Sequence, residues 1–281
     1  MSTLPEIRPS PIAGTWYSAD TQQLTRQIDD FIATAQKTEI PGKIFGLIAP
    51  HAGHRYSGTT AGYAYRTVQG GTFDLVVIIS PAHAYYPASI ISSAHKFYAT
   101  PLGKIPIHLN ALAEFEENVN KTSLDFARVT NDEEHSIEIQ LPFLQRALVD
   151  NFSLLPLMMR KQDLSAVDAV SHSLLPILKK YDSLVIASSD LSHFYPQDIA
   201  NALDEHLLKM VEDFSPEGVL KAEEEGSGFA CGAGPIAVTL TTARLAGADR
   251  VKVLHYSTSA DVTGDPTSVV GYGSAVIFFG K

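Results

Sequence analysis

The stretch FDLVVIISPAH, residues 73–83, decides the fold class of this chain of 281 residues. Every residue from Leu75 to Ile79 is apolar, and all but the first are β-branched. Such a run is typical of a parallel strand that helices cover on both faces. Similar apolar runs predict further buried strands at 43–49, 152–159 and 183–189.

Amphipathic helices separate these strands. In the helix predicted over residues 19–37, Leu24, Ile28 and Ile32 fall on one face. Other helical patterns cover 57–68, 133–149, 165–180, 197–213 and 232–246, and other strand patterns cover 88–94, 251–257 and 269–279. This alternation predicts an α/β fold, a three-layer α/β/α sandwich with a mixed central sheet. Because no linker, repeat or low-complexity tract interrupts it, we expect a single domain over residues 1–281.

Charge and composition argue against two classes of partner. The net charge is −10 and no cluster of lysine and arginine is present, so we expect neither nucleic acid nor an anionic membrane as a partner. No apolar stretch approaches the length that spans a bilayer, and the first residues do not resemble a secretory signal. Cys231 is the only cysteine, which excludes an intrachain disulfide. We therefore predict a cytoplasmic protein.

Polar residues lie in the loops that follow three predicted strands and precede one predicted helix of small residues. The segments are APHAGH (49–54), SPAHAYY (80–86), SSDLSHF (188–194) and FACGAGP (229–235). Ligands of open α/β sheets bind at the carboxyl ends of the strands. Since three of the segments follow apolar runs, we expect their side chains to converge at one edge of the sheet.

His51, His83 and Cys231 are candidate metal ligands. Imidazole and thiolate suit iron, copper or zinc, and three protein ligands leave positions open for catalysis. No CxxC or HExxH motif is present, and a loop histidine is often only a hydrogen-bonded structural residue. Cys231 precedes a predicted helix, whose N-terminus favours a thiolate. It could be a ligand, a nucleophile or a small packed side chain.

Two further pairs could carry proton chemistry. Asp190 and His193 could form a general base with an orienting carboxylate, or a helix cap with a histidine packed beside it. His135 and Glu138 lie three residues apart on one helix face. Glu134 could be a simple partner of the helix dipole.

The residues after the first histidine are predicted to line the same pocket. They are His54, Arg55 and Tyr56. Arg55 could bind a carboxylate or phosphate group of a substrate.

Seven sequence blocks together resemble the Memo family, protein B of the AmmeMemoRadiSam system of bacteria and archaea. The blocks are AGTWY (13–17), APHAG with YSG (49–58), SPAH (80–83), DEEHSIEIQLPFL (132–144), SSDLSH (188–193), CGAGPI (231–236) and GYGSAV (271–276). They run almost from end to end in the family's order. Memo proteins are similar in fold to the LigB-type extradiol dioxygenases, which hold a non-haem Fe(II) with two histidines and a carboxylate.

The resemblance implies that His51, His83 and Cys231 hold a metal, with the cysteine in place of the carboxylate. Fe(II) is the expected ion, with copper or zinc as alternatives. Asp190 and His193 match the pair beside the metal, with His193 as the acid/base. A thiolate is softer than a carboxylate, so ordinary catechol cleavage could be lost.

Two positions depart from the family's pattern, and some expectations rest on the resemblance alone. His54 stands where an aromatic residue is expected, and Ala84 where a second histidine is common. By resemblance, His135 lies in the pocket. Also by resemblance, a radical-SAM protein and an AMMECR-type protein are expected partners, beside a small-molecule or peptide ligand.

Three functions remain open on the sequence. The first is a metal-dependent oxidoreductase of the dioxygenase kind. The second is a non-catalytic protein that binds a metal or a peptide in the same pocket. The third is a hydrolase with Cys231 as nucleophile and His193 as base.

Overall fold

Twelve strands form in the part of the chain that the computed structural model describes, residues 6–130 and 132–280. They are β1 (Ile7–Arg8), β2 (Ile44–Ala49), β3 (Leu75–Pro81), β4 (Ile90–Ser93), β5 (Phe97–Thr100), β6 (Gly103–Pro106), β7 (Phe126–Val129), β8 (Ser153–Met159), β9 (Ser183–Ser188), β10 (His193–Tyr195), β11 (Arg250–Thr258) and β12 (Val269–Phe278).

Ten helices form in the same residues. They are α1 (Thr21–Thr34), α2 (His54–Thr67), α3 (Leu109–Val119), α4 (His135–Glu138), α5 (Leu141–Ala147), α6 (Leu164–Leu178), α7 (Gln197–Glu212), α8 (Pro216–Glu225), α9 (Ala233–Ala246) and α10 (Ala260–Thr263). Among the described residues, none of these helices combines the length and the apolar character that crossing a membrane requires.

Nine of the strands form one mixed sheet. The order is β10-β12-β2-β9-β3-β8-β4-β7, and β11 also pairs with β12. The central strands β2, β9, β3 and β8 are parallel, while β12 and β4 pair antiparallel with β2 and β8. Helix α2 packs on one face of the sheet and α9 on the other. The predicted three-layer α/β/α sandwich with a mixed sheet is confirmed.

The carboxyl ends of the central strands create the edge where the candidate site lies. β2, β3 and β9 are parallel neighbours in register, with Ala49 opposite Ser188 and Ile79 opposite Ala187. The loops that follow these strands therefore leave the sheet side by side.

A small sheet anchors the beginning of the described chain. β1 pairs parallel with β5, and β5 pairs antiparallel with β6. This pairing sets Arg8 opposite Tyr98. Strands of two to four residues carry little periodicity, and β1, β5, β6, β7 and β10 escape the prediction for that reason.

Two predicted helices differ from the structure in ways that bear on the site. The helix predicted over 57–68 begins earlier, at His54, because the His54 amide donates to the Trp16 carbonyl and Gly53 caps the helix. The helix predicted over 133–149 is broken into α4 and α5. Pro142 lacks an N–H and its ring would collide with the carbonyl of Glu138, so the first helix ends there.

Helices α1 and α2 approach closely because α2 carries glycine at the contact. A Cβ atom at Gly62 would lie 2.3 Å from the Phe31 carbonyl oxygen. Gly62→Ala should therefore lower the free energy of unfolding by about 1–3 kcal/mol, although alanine is the better helix former. Urea unfolding measures this. Gln22→Ala is the control, because Gln22 is exposed on α1 and its replacement adds no methyl group to a packed contact. Equal losses in both variants would contradict the prediction.

Candidate metal centre

His51 follows β2, and its ring is held by a hydrogen-bond chain from the neighbouring strand. The Ser188 hydroxyl donates to the Ser136 carbonyl at 2.6 Å and accepts from the Gln140 side-chain amide at 2.8 Å. His51 Nδ1 lies 3.2 Å from the same oxygen. Because the hydroxyl hydrogen of Ser188 is already used in the bond to the Ser136 carbonyl, the Ser188 oxygen can only accept from His51. We therefore infer that His51 Nδ1 carries the hydrogen and that Nε2 presents its lone pair.

His83 follows β3 and is oriented by a buried carboxylate. Its Nδ1 lies 2.9 Å from Glu134 Oε1, and its backbone amide donates to Oε2 at 2.7 Å. The Ser136 amide and hydroxyl also donate to Glu134 Oε1. The carboxylate thus accepts the Nδ1 hydrogen of His83 and leaves Nε2 available, an arrangement that commonly supports metal-binding histidines.

Cys231 completes the group from the loop before α9. Its Sγ lies 3.1 Å from His51 Nε2. Gly232 allows the loop to come this close, because a Cβ atom there would lie 2.7 Å from the Ser188 carbonyl oxygen. The Gly232 amide donates to the Ser189 hydroxyl, and the Gln162 amide donates to the Cys231 carbonyl.

The donor atoms of His51, His83 and Cys231 all lie within 4.8 Å of one another. Since bonds from a transition metal to nitrogen and sulfur are about 2.0–2.3 Å long, one ion could bind all three with small adjustments. His83, Glu134 and His135 form a second group of the same kind. The Glu134 oxygens already accept several hydrogen bonds, so Glu134 is better suited to orienting His83 than to binding an ion.

Burial keeps most of this group uncharged. Burial, with the neighbouring His135 and His83, lowers the pKa of His51 well below its usual value, and burial lowers the pKa of His135 to about 4. Burial also acts to lower the pKa of His83, but the hydrogen bond to Glu134 raises it overall. Burial and the nearby Asp190 raise the pKa of the Cys231 thiol far above its ordinary value. The thiolate that the helix N-terminus was expected to favour is therefore absent without a cation.

His135, predicted to line the pocket, borders the three donor atoms. Its ring centroid lies 4.6 Å from that of His83 and 5.3 Å from that of His51. On its other side, it stacks on Trp16 at 4.1 Å. Trp16 belongs to the AGTWY block and was given no role on the sequence.

Asp190 and His193 do not form the hydrogen-bonded pair that the sequence suggested. Asp190 Oδ1 instead accepts from the amides of His51 and Ala52, at 2.7 and 3.2 Å. Its burial raises its pKa to about 7. For His193, burial lowers the pKa while a hydrogen bond to the Leu191 carbonyl acts to raise it. Asp190 therefore holds the loop of His51 in place, because its carboxylate accepts the hydrogens of two backbone amides of that loop.

Three residues predicted to line the pocket lie elsewhere. His54 is buried behind the site, where Nε2 lies 3.0 Å from the Ile139 carbonyl oxygen and the ring packs between Tyr17 and Phe143. Arg55 is exposed on the first turn of α2, over the ring of Tyr56.

Glu138 is the third of these residues, whereas Tyr56 does line a cavity. Glu138 is fully buried, with its carboxylate bound to Arg8 at 2.6 Å and to Tyr17 at 2.6 Å. It is part of a structural ion pair and is not open to a ligand. Tyr56 lines a separate cavity beside the site.

Several residues that shape the site were missed on the sequence. Glu134 was read as a helix-dipole partner, and Ser188, Gln140 and Arg8 were given no role. A carboxylate immediately before His135 in EEHS was the available signal for Glu134. The other three gave none, because they act through contacts between residues that are 48 to 137 positions apart.

Metal binding to this group should release protons, because a thiolate and neutral imidazoles bind metals. At pH 8, each Zn²⁺ bound should release about one proton, which comes from the Cys231 thiol. At a pH below the raised pKa of His83, this imidazole is protonated and must also lose a proton when the metal binds. In that range, the affinity should therefore decrease more steeply as the pH is lowered. Calorimetry in buffers of different ionisation enthalpy measures the proton count. A count independent of pH would contradict the assignment.

The chain is similar along its length to one family of proteins. A family model described as "Memo-like protein" matches residues 8–276. A MEMO1 family protein of Nitrosopumilus maritimus is 31% identical over 275 residues, covering 95% of this chain and 98% of the relative. One from Methanothermobacter thermautotrophicus is 34% identical over 277 residues, with 95% and 98% covered.

Proposed function

Because the chain belongs to the Memo family, we propose that it is a metal-dependent oxidoreductase whose ion is held by His51, His83 and Cys231. The observation that carries this proposal is the convergence of three donor atoms within 4.8 Å. Both histidines have Nδ1 engaged by a partner, which leaves Nε2 for the ion. Fe(II) is the ion we favour, with copper or zinc as alternatives.

The ligand set suits redox chemistry better than a structural role. Two neutral imidazoles and a thiolate suit iron, copper and zinc alike, and bound Fe(II) would supply one-electron chemistry with positions left open for other ligands. His51 is buried and Cys231 is half-buried, whereas the side chain of His83 is 38% exposed. A substrate would therefore approach from the side of His83.

Two histidines are placed to move protons beside the ion. His135 and His193 both have lowered pKa values, since burial disfavours their charged forms. Each is thus neutral near pH 7 and able to accept a proton from a bound substrate. His135 is the nearer candidate, because its ring packs directly on that of His83.

An apolar cavity beside these histidines is suited to the organic part of a ligand. It has a volume of about 500 Å³, and its lining includes Trp16, Ala52, Tyr56, Phe194 and Tyr272. Trp16 also stacks on His135, and Ala52 follows His51, so the cavity adjoins the candidate metal centre. Phe194 is 75% exposed and has a positive φ of 65°, a strained conformation that is often found at functional sites. A small organic molecule or the end of a peptide would fit here.

A non-catalytic metal- or peptide-binding protein is the second candidate. It is favoured by the engagement of Asp190 with the amides of His51 and Ala52, because His193 then lacks a carboxylate to strengthen it as a base. The same donor atoms would hold an ion without turnover.

A cysteine hydrolase fits the site poorly. Such an enzyme needs a thiolate beside an imidazolium. Here the raised pKa of Cys231 and the lowered pKa of His51 both oppose that pair. The nearest imidazole to the thiol is also His51 and not the predicted base His193.

Metal analysis followed by an oxygen-dependent assay tests the proposal. Protein purified without oxygen should bind about one equivalent of Fe(II), and His51→Ala should bind none. His172→Ala is the matched control, because His172 is exposed on α6. Iron-loaded protein should then form a product from O₂ and a member of a panel of phenols and thiols. Metal without any turnover would favour the binding protein. No metal after Fe(II), Cu(I) and Zn(II) have been offered would contradict the oxidoreductase and leave only a peptide-binding role for the second candidate.

A further inference from the structure

A buried arginine lies behind the segment that carries Glu134 and His135. Arg8 is fully buried at the end of β1, and its guanidinium group rests 4.7 Å from the centre of the Tyr98 ring. It is far from the candidate ligands in sequence, and nothing in the proposed chemistry uses it. A charge this deeply buried is costly unless it is fully paired.

The guanidinium group bonds to residues of one segment, 132–138, and to the adjacent Pro9. Nε and Nη2 donate to the carboxylate of Asp132 at 2.8–3.0 Å. Nη2 also donates to the Glu134 carbonyl at 2.7 Å, and Nη1 donates to Glu138 Oε2 at 2.6 Å. Nη1 makes a last, longer bond to the Pro9 carbonyl. One side chain thus ties residues 132, 134 and 138 together.

The segment from 132 to 138 orients both candidate metal histidines. Glu134 accepts the Nδ1 hydrogen of His83. The Ser136 carbonyl accepts the hydroxyl hydrogen of Ser188, and this leaves the Ser188 oxygen to accept from His51 Nδ1. Any shift of the segment would therefore disturb the rings of both histidines.

We propose that Arg8 is a positioning residue for the metal centre: it locks residues 132–138 so that Glu134 and Ser136 keep His83 and His51 in their metal-binding orientations. The inference deepens the proposed function and rests on it. A planar guanidinium group suits this task, because its donors diverge in one plane toward two carboxylates and a carbonyl. A lysine would bring a single charged nitrogen with three donors and could not span the same partners.

An alternative is that Arg8 serves stability alone. Buried ion pairs can often be replaced by apolar residues without loss of stability, so stability by itself does not require an arginine here. The two explanations differ in what happens to His83 in a variant that still folds. Positioning predicts altered histidine geometry, whereas a purely structural role predicts only a lower melting temperature.

The first measurement is the imidazole N–H resonance of His83 in the metal-free protein by NMR, at a temperature where every variant is folded. In the wild type, the hydrogen bond to Glu134 should give a low-field signal that exchanges slowly. Arg8→Lys should broaden or shift it. Asp132→Asn, which keeps the shape of the partner, serves if Arg8→Lys does not fold. Leu174→Ala is the control. Leu174 is buried in α6, away from the site, so its truncation should destabilise the fold but leave the His83 signal unchanged.

The second measurement is Co²⁺ affinity, with the thiolate-to-cobalt absorption band as a spectroscopic signature. Arg8→Lys should weaken binding about 10–100-fold, the usual effect of losing an outer partner of a metal ligand, and should shift the band. In a Glu134→Gln background, the same change should have a smaller effect, because the route from Arg8 to His83 through Glu134 is already lost and only the route to His51 through Ser136 remains.

The outcomes separate the two proposals. If Arg8→Lys keeps the wild-type NMR signal and the wild-type affinity, or if Leu174→Ala changes them equally, Arg8 is not a positioning residue. If the wild type binds no metal, the proposed function fails, and the NMR comparison alone decides the role of Arg8.

Discussion

Replacing Cys231 with serine should lower the affinity of the protein for Co²⁺ or Zn²⁺ by more than about 100-fold, a larger loss than the 10–100-fold that follows removal of an outer partner. Serine is nearly the same size, but its hydroxyl group stays protonated at neutral pH and is a poor ligand for these ions. The Sγ atom of Cys231 lies 3.1 Å from His51 Nε2. Competition with a chelator of known affinity measures the change, and the thiolate-to-cobalt band should disappear.

Two controls make the result for Cys231→Ser specific. The free energy of unfolding without metal should change little, because the thiol makes only a few weak contacts, to Ser189 and the Asp190 carbonyl among them. The released proton should also disappear from calorimetry at pH 8. Wild-type affinity in Cys231→Ser would mean that the histidines bind the ion without sulfur.

Replacing Glu138 with alanine should lower the free energy of unfolding by about 3–5 kcal/mol, the usual cost of removing one partner of a buried ion pair. Arg8 would keep Asp132 but lose the carboxylate that binds Nη1. Tyr17 and Ser10 would lose their acceptor as well. Urea unfolding of the metal-free protein measures the loss.

Glu117→Ala is the matched control for this effect. Glu117 forms an ion pair with Lys121 on the exposed surface of α3, and such pairs contribute little in water. Its removal should leave the free energy of unfolding almost unchanged. If Glu138→Ala is equally mild and instead weakens binding of an organic ligand, Glu138 belongs to the pocket as first predicted.

The strands and helices of the sheet could be predicted because their apolar residues repeat with a local period. The runs at Leu75–Ile79 and in β2 and β9 predict buried parallel strands, and the rule for strand ends then predicts one functional edge. That reasoning correctly expected His51 and His83 to lie close together. It failed for His54, because helix α2 begins at this residue, three residues earlier than predicted, and the side chain packs against Phe143.

By itself, the sequence determined the order of the layers, the edge that carries polar side chains, and the three candidate ligands for a soft metal. Only the tertiary structure decided which hydrogens the two histidines carry, how Asp190 is used, and that Arg8 and Glu138 belong together. The reason is physical. Periodicity records burial within a few residues, whereas the tautomer of His51 depends on Ser188, and the ion pair of Glu138 depends on Arg8. Such pairs meet only when the sheet brings its strands side by side.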